Sequence, residues 1–260
     1  MKIAEARPAA TVVLLRDGSQ GLEVFMVRRH HQIDFAGGAL VFPGGKLAPE
    51  DVELGQMLAP DDALAPFRVA AIRELFEESG LLLAGGATGC GHGLNAAPLD
   101  RLRTELIQEG VGFTRLLERL ELSPDLGALL PFAHWVTPEM APKRFDTHFF
   151  LARMTGDTVL RHDGGETVDS LWINPGDAIA AAQTGQHTII WPTLMNLQKL
   201  ARHDTVQAAW TATQSAPVVT VLPCLVDTPQ GKRMRIPQEA GYDAWDVDLA
   251  TLLGTPAPPR

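Results

Sequence analysis

Three glutamates within five positions, in Arg73-Glu74-Leu75-Phe76-Glu77-Glu78-Ser79-Gly80-Leu81, constrain this chain more than any other segment. From Leu64 to Ser79 the apolar residues recur with helical spacing. Phe67, Ala71 and Leu75 lie four apart, and Ile72 lies three before Leu75. Asp61 and Asp62 are candidate N-caps, and Gly80 is a natural C-terminal stop. On such a helix Glu74 and Glu78 share a face, and Glu77 borders it. Like charges so placed repel by a few tenths of a kcal/mol per pair. A solvated acidic face tolerates that cost. A hard divalent cation with oxygen ligands, Mg²⁺ or Mn²⁺, would turn it into a binding site. Arg73 stands four before Glu77 and can orient it through an ion pair.

Around this helix the order of elements is mixed. Thr11–Leu15 and Leu22–Val27 read as a hairpin joined by a loop of about five residues. Ala39–Phe42 reads as a short strand stopped by Pro43-Gly44-Gly45, followed by a looser acidic stretch to Asp62. A strand ending in Pro-Gly-Gly lets backbone approach a ligand, and it is equally a plain turn. Gly85–Gly93 is a glycine-rich loop without the Lys-Ser/Thr pair of a phosphate loop. Pro98–Glu121 reads as one or two amphipathic helices broken near Gly110 and Gly112, placed to cap a site or to pack, also as a dimer element. Further strands are expected at Leu130–Val136, His148–Arg153, Thr158–Leu160, Asp169–Ile173 and Val218–Leu225. Helices are expected at Pro175–Ala182 and Trp191–Arg202, with a frayed tail at Thr255–Arg260. This order favours an α+β fold.

Composition narrows the function classes. A chain of 260 residues, 45% hydrophobic and 20% charged, can build a substantial core. Its net charge of −9 argues against a nucleic-acid or anionic-membrane partner, because both need a basic surface. No apolar run approaches the roughly 20 residues of a membrane span. The segment Ala9–Leu15, ended by Arg16-Asp17, is a poor signal peptide and a good first strand. Two cysteines, Cys90 and Cys224, fit a reducing cytoplasm, and with His92 they lack zinc-site spacing. His30-His31, at a strand end, reads as surface or substrate-facing. Trp191 and Trp210 read as core or interface residues.

Together, Gly45 and Arg73–Leu81 resemble the signature of the Nudix hydrolases, G-x5-E-x7-R-E-U-x-E-E-x-G-U with U aliphatic. The second half matches at all seven defined positions. In the first half Asp51 stands where Glu is expected, with Glu50 beside it. Between Asp51 and Arg73 lie 21 residues rather than seven, and the loop Val52–Ala65 absorbs the excess. This interrupted box, the phrase Lys143–Phe150 and the region around Ile236-Pro237 and Gly241-Tyr242 resemble the branch containing the peroxisomal coenzyme A diphosphatases. An upstream coenzyme A-binding pattern matches at Arg29, Gly38 and Phe42–Gly45. It departs at His30 and at Asp34, where an acid replaces an arginine.

The resemblance implies an α/β/α sandwich around a mixed sheet. One domain would span 1–260, with a core at about 8–180, a helical insertion at about 98–121 and a C-terminal extension at 183–260. It implies metal-dependent hydrolysis of a phosphoanhydride in a nucleoside diphosphate linked to another moiety, coenzyme A or its acyl derivatives among them. The altered first half leaves open a non-catalytic nucleotide sensor. By the same resemblance Glu74, Glu77, Glu78 and the Gly45 carbonyl are the ligands of Mg²⁺ or Mn²⁺. A downstream carboxylate, Glu166 first and Glu139 second, serves as base or extra ligand. Arg28, Arg29 and Arg144, with Gly44 and Gly45, are the expected substrate contacts, since arginine binds phosphate bidentately.

Overall fold

The computed structural model describes residues 3–31, 37–85, 97–154 and 160–252. In chain order the strands and helices begin with β1 (Ala6–Gly18), β2 (Gly21–Arg29), β3 (Leu40–Val41), β4 (Gly44–Lys46), α1 (Pro49–Leu58) and α2 (Ala65–Ser79). There follow β5 (Ala84–Gly85), α3 (Ala97–Gln108), α4 (Phe113–Leu120), β6 (Ser123–Pro124), β7 (Leu130–Val136), β8 (Arg144–Arg153) and β9 (Thr167–Ile173). The chain continues through α5 (Pro175–Gln183), α6 (Trp191–Leu200), α7 (Val206–Gln214), β10 (Thr220–Val221), β11 (Cys224–Thr228), β12 (Gly231–Arg235), β13 (Asp246–Asp248) and α8 (Leu249–Leu252).

An eight-stranded mixed sheet runs β10-β7-β8-β1-β2-β3, with β4 paired to β1 and β9 to β2. The β1–β8 and β10–β7 pairs are parallel, and the remaining pairs are antiparallel. β1 and β2 are apolar on both faces because both are covered. Val12, Leu14, Phe25 and Val27 join one core, whereas Val13, Leu15, Val24 and Met26 join the other. That split follows from the two-residue side-chain period of a strand. The first core is roofed by α2 with α1, α3 and α4, through Leu54, Ile72, Leu102 and Phe113. The second is roofed by α5, α6 and α7, through Ala178, Leu197 and Ala209. The result is the expected α/β/α sandwich.

Several local expectations change. The β1–β2 hairpin has a two-residue turn rather than about five, with Gly18 opposite Gly21. The strands run on past Asp17 because Arg16 pairs across the ladder with Glu23 at 2.6 Å. The stretch expected to loop, Val52–Ala65, opens inside helix α1. Pro49 starts that helix, and the Asp51 carboxylate accepts the Ala48 N–H at 2.7 Å. Gly55 lets α1 approach α2 closely, since a Cβ there would lie 2.5 Å from the Pro66 nitrogen. Pro98–Glu121 resolves into α3 and α4, which pack on the α2 layer. Helix α7 was not anticipated, and the expected strand Val218–Leu225 is divided between β10 and β11. Thr158-Val159, Asp34, Cys90, His92 and the 255–260 tail lie outside the described residues.

Candidate active site

Helix α2 ends as the sequence requires. Gly80 adopts φ +79°, and its N–H returns to the Phe76 carbonyl. Ser79, with no nucleophile context in sequence, donates its hydroxyl to the Leu75 carbonyl at 2.6 Å and accepts the Leu81 N–H at 3.1 Å. Arg103 of α3 donates to the Glu77 carbonyl at 2.8 Å, placing a cation at the negative end of the α2 dipole.

Arg73 organises the carboxylates. It is 7% exposed and donates to Asp51 at two points, Nε to Oδ1 at 3.0 Å and Nη2 to Oδ2 at 2.8 Å. Its Nη1 reaches Glu74 at 2.8 Å and Glu77 at 3.1 Å, and Nη2 reaches the Lys46 carbonyl at 2.9 Å. Burial alone would lower its pKa. The Asp51 hydrogen bond and the fields of Glu74, Asp51 and Glu77 outweigh that and raise it, so the guanidinium stays charged. Asp51 is therefore the acid that supports the loop-to-helix turn. Glu50 does separate work: its Oε1 accepts the Phe113 N–H at 2.9 Å, capping α4.

Glu78 is 5% exposed and accepts the Gly44 N–H at 3.1 Å. Burial, then the Glu74 charge, holds its pKa well above the ordinary range. Burial likewise raises Glu74 to about 7 against the opposing pull of Arg73. Glu77 is also raised by burial, again opposed by Arg73. A Cβ at Gly45 would collide with the Glu74 carboxylate and push it from its place beside the backbone. At Gly44 a Cβ would lie 2.5 Å from the Ala10 carbonyl oxygen. Three carboxylates against a side-chain-free backbone, two strongly destabilised as anions by burial and each other, suit a hard divalent cation. That excess of negative charge is the feature such an ion would relieve.

Glu166 lines the same cleft, and its charge raises the pKa of all three helix glutamates. The loop carrying it is fixed by Asp163, whose carboxylate accepts the Gly165, Glu166 and Thr167 N–H groups at 3.2, 2.9 and 2.8 Å. Arg29 also lines the cleft, and its buried Nε has no hydrogen-bond partner among the described residues. The structure places two other expected phosphate contacts elsewhere. Arg28 turns to His187 at 3.1 Å and Asp169 at 3.7 Å, because neighbouring residues of β2 face opposite ways. Arg144 clamps the backbone, donating to the Thr137 carbonyl at 3.0 Å and the Ala4 carbonyl at 2.8 Å. Glu139 is exposed between β7 and β8 and does not line the cleft.

The cleft holds about 480 Å³ and extends from the carboxylates across the second sheet face to the start of α6. Its far walls, Trp135, Phe145, Phe149, Ile190 and Trp191, were not singled out as site residues, nor was Lys46 beside the glutamates. Alternating aromatic strand residues look like core, and no local signal separates the two. Trp210 does not line the cleft and carries Arg153 over its ring at 4.2 Å. Among the described residues, neither α3 nor α4 contributes to the lining.

His134, Asp146 and His148 bring three ligand-type atoms within 4.8 Å. Their geometry is poor for a metal. The two imidazoles stack at 3.9 Å and 8°, so their in-plane lone pairs run parallel instead of converging. His134 is hydrogen-bonded to Asp146 and Thr220, and His148 packs on Phe67 at 4.3 Å. Burial lowers His148 to about 4.

A family profile described as the NUDT19 Nudix domain matches residues 49–200. The chain belongs to the Nudix hydrolase family. A crystal structure of a NUDIX hydrolase from Alicyclobacillus acidocaldarius superposes with TM-score 0.71 and 31% identity, covering 81% of this chain and 97% of that one. Human acyl-coenzyme A diphosphatase NUDT19 is 32% identical over 152 residues, 55% of this chain and 40% of that protein. The Gallus gallus protein of the same name is 31% identical over 182 residues, 63% of this chain and 48% of that protein. The chain thus spans about half the length of these curated relatives. The likeness places the chain in the NUDT19-type branch of the Nudix hydrolases.

Proposed function

We propose that this Nudix hydrolase splits the diphosphate of coenzyme A or acyl-coenzyme A, adding water across one P–O–P linkage to give two phosphomonoesters. The observation that carries the catalytic reading is the buried position of Glu78, facing Glu74 and held by the Gly44 N–H. The substrate class is supported by the likeness to acyl-coenzyme A diphosphatases. Glu74, Glu77, Glu78 and the Gly45 carbonyl would hold Mg²⁺ or Mn²⁺. The ion's contribution would be to neutralise phosphate oxygens and acidify a bound water.

The chain's own groups supply positioning. Arg73 fixes Glu74 and Glu77 while Asp51 fixes Arg73. Arg29, with an uncommitted Nε, is the guanidinium for the anionic diphosphate. Glu166, on its Asp163-braced loop at the cleft, would accept a proton from the attacking water. Catalysis of this kind is chiefly orientation and electrostatic stabilisation.

The test is a panel with Mg²⁺ or Mn²⁺: coenzyme A, its acyl esters, NADH, ADP-ribose, dinucleoside polyphosphates and nucleoside triphosphates, with both products identified by mass spectrometry. Cleavage of coenzyme A species at the diphosphate supports the reading. Preference for another member replaces the substrate. Tight binding without hydrolysis of any would favour a non-catalytic nucleotide-binding module.

A further inference from the structure

The C-terminal segment lies beyond the residues matched by the family profile, yet it reaches the wall of the cleft. Trp135 lines the cleft from β7. Its indole N–H donates to the Tyr242 hydroxyl at 2.9 Å, and that hydroxyl donates to Asn196 Oδ1 on α6 at 2.8 Å. All three side chains are buried: Trp135 is 3% exposed, Tyr242 7% and Asn196 0%. Tyr242 is the chain's single tyrosine. Its ring packs on the indole at 5.4 Å, and Lys199 lies 5.6 Å above it. Burial raises the Tyr242 pKa, so the hydroxyl keeps the proton that it donates. A buried indole N–H left without a partner is costly, so the hydroxyl has a definite task.

The wall that Tyr242 holds is apolar. Among the described residues, every charged residue lining the cleft, Arg29, Lys46, Glu74, Glu77 and Glu166, belongs to the carboxylate end. The far end is built mainly from Trp135, Phe145, Phe149, Ile190 and Trp191, with the uncharged hydroxyls of Thr137, Thr147 and Thr193 between them. Trp135 and Trp191 meet edge to face, with centroids 5.6 Å apart and planes at 75°. They therefore form no parallel slot in which a nucleobase could stack between them. A largely apolar chamber with the charged groups gathered at the other end suits a flexible apolar chain attached to a charged head.

We propose that the chamber receives the acyl chain of an acyl-coenzyme A substrate, and that Tyr242 is a positioning residue which sets the chamber's selectivity by locking Trp135. The first clause rests on the function proposed above. The locking of Trp135 does not.

The experiment measures binding, so it is independent of turnover. Metal-free full-length protein in chelator is titrated calorimetrically with acetyl- and octanoyl-coenzyme A, and separately with free octanoate. Octanoyl-coenzyme A is expected to bind at least about tenfold more tightly than the acetyl ester, because each buried CH₂ adds roughly 0.8 kcal/mol. Tyr242→Phe should cut that octanoyl-to-acetyl ratio at least threefold and shift the Trp135 indole N–H resonance. A purely structural role would lower thermal stability and leave the ratio alone. Asn196→Ala, which breaks the far end of the relay, is the second variant should Tyr242→Phe fail to fold.

Equal affinity for the two esters, together with no octanoate binding, overturns the chamber. A ratio unchanged in both folded variants overturns the role of Tyr242. Octanoate binding that Trp191→Ala abolishes, with no affinity for any coenzyme A species, upholds the chamber and overturns the coenzyme A reading instead.

Discussion

Asp51 and Arg73 form a two-point ion pair, at 3.0 and 2.8 Å, in which the aspartate is wholly inaccessible to solvent. Of the 21 residues between them, 52–64 complete α1 and the turn after it and 65–72 begin α2, so the extra sequence is taken up before α2 and leaves the pair intact. Removing one partner from a buried pair leaves an uncompensated charge, at a cost of about 3–5 kcal/mol. Asp51→Ala is therefore expected to lower the thermal midpoint by many degrees. Because Arg73 also holds Glu74 and Glu77, activity should fall in protein that remains folded. Unchanged melting would contradict this.

Glu50, one residue earlier, should behave differently. It caps α4 and takes no part in the carboxylate cluster. Glu50→Ala is expected to cost about 1 kcal/mol of stability, the usual worth of a cap. Denaturant unfolding alongside steady-state kinetics checks this, with kcat staying within about twofold of the parent.

Metal-free protein should lose stability as pH rises. Glu74 and Glu78 have folded-state pKa values above the unfolded value near 4.5, Glu74 at about 7. Below that unfolded value both states are protonated. Above it the unfolded chain releases protons that the folded chain retains, so unfolding becomes easier until pH passes the folded value. Thermal midpoints in chelator should fall from about pH 4.5 to 7. Added Mn²⁺ should raise them more at pH 8 than at pH 5.5, because ligation displaces those protons. A midpoint insensitive to pH, or equal stabilisation at both pH values, would refute the cluster's electrostatics.

Glu166 is exposed. Glu166→Gln should leave the melting temperature within a degree or two and reduce kcat by about 10²–10⁴, the usual worth of a general base. A folded variant whose kcat stays within about tenfold of the parent would assign the base elsewhere.

Much of this site was legible in the sequence, and the reason is local. The spacing of Glu74, Glu77 and Glu78 and the stop at Gly80 follow from helix period and backbone freedom, which a linear reading sees directly. Arg29 and Arg28 show the limit: adjacent arginines look equivalent until strand alternation sends one into the cleft and the other towards His187. Arg144 reads as a phosphate contact but is spent on two carbonyls, one of them, Ala4, contributed by distant sequence. The apolar chamber was invisible for the same reason. Trp135, Phe149 and Tyr242 converge only through the sheet and the C-terminal segment, 107 residues separating the hydrogen-bonded pair Trp135 and Tyr242.

The most direct measurement of the central claim is Mg²⁺- or Mn²⁺-dependent cleavage of acyl-coenzyme A by the parent protein and by Glu78→Gln. The variant removes a buried charge and keeps the shape of the side chain, so it should fold at least as well as the parent. Its kcat should fall at least about a hundredfold, as when a preorganised electrostatic group is lost. A folded Glu78→Gln protein that retains full metal-dependent activity would contradict the account.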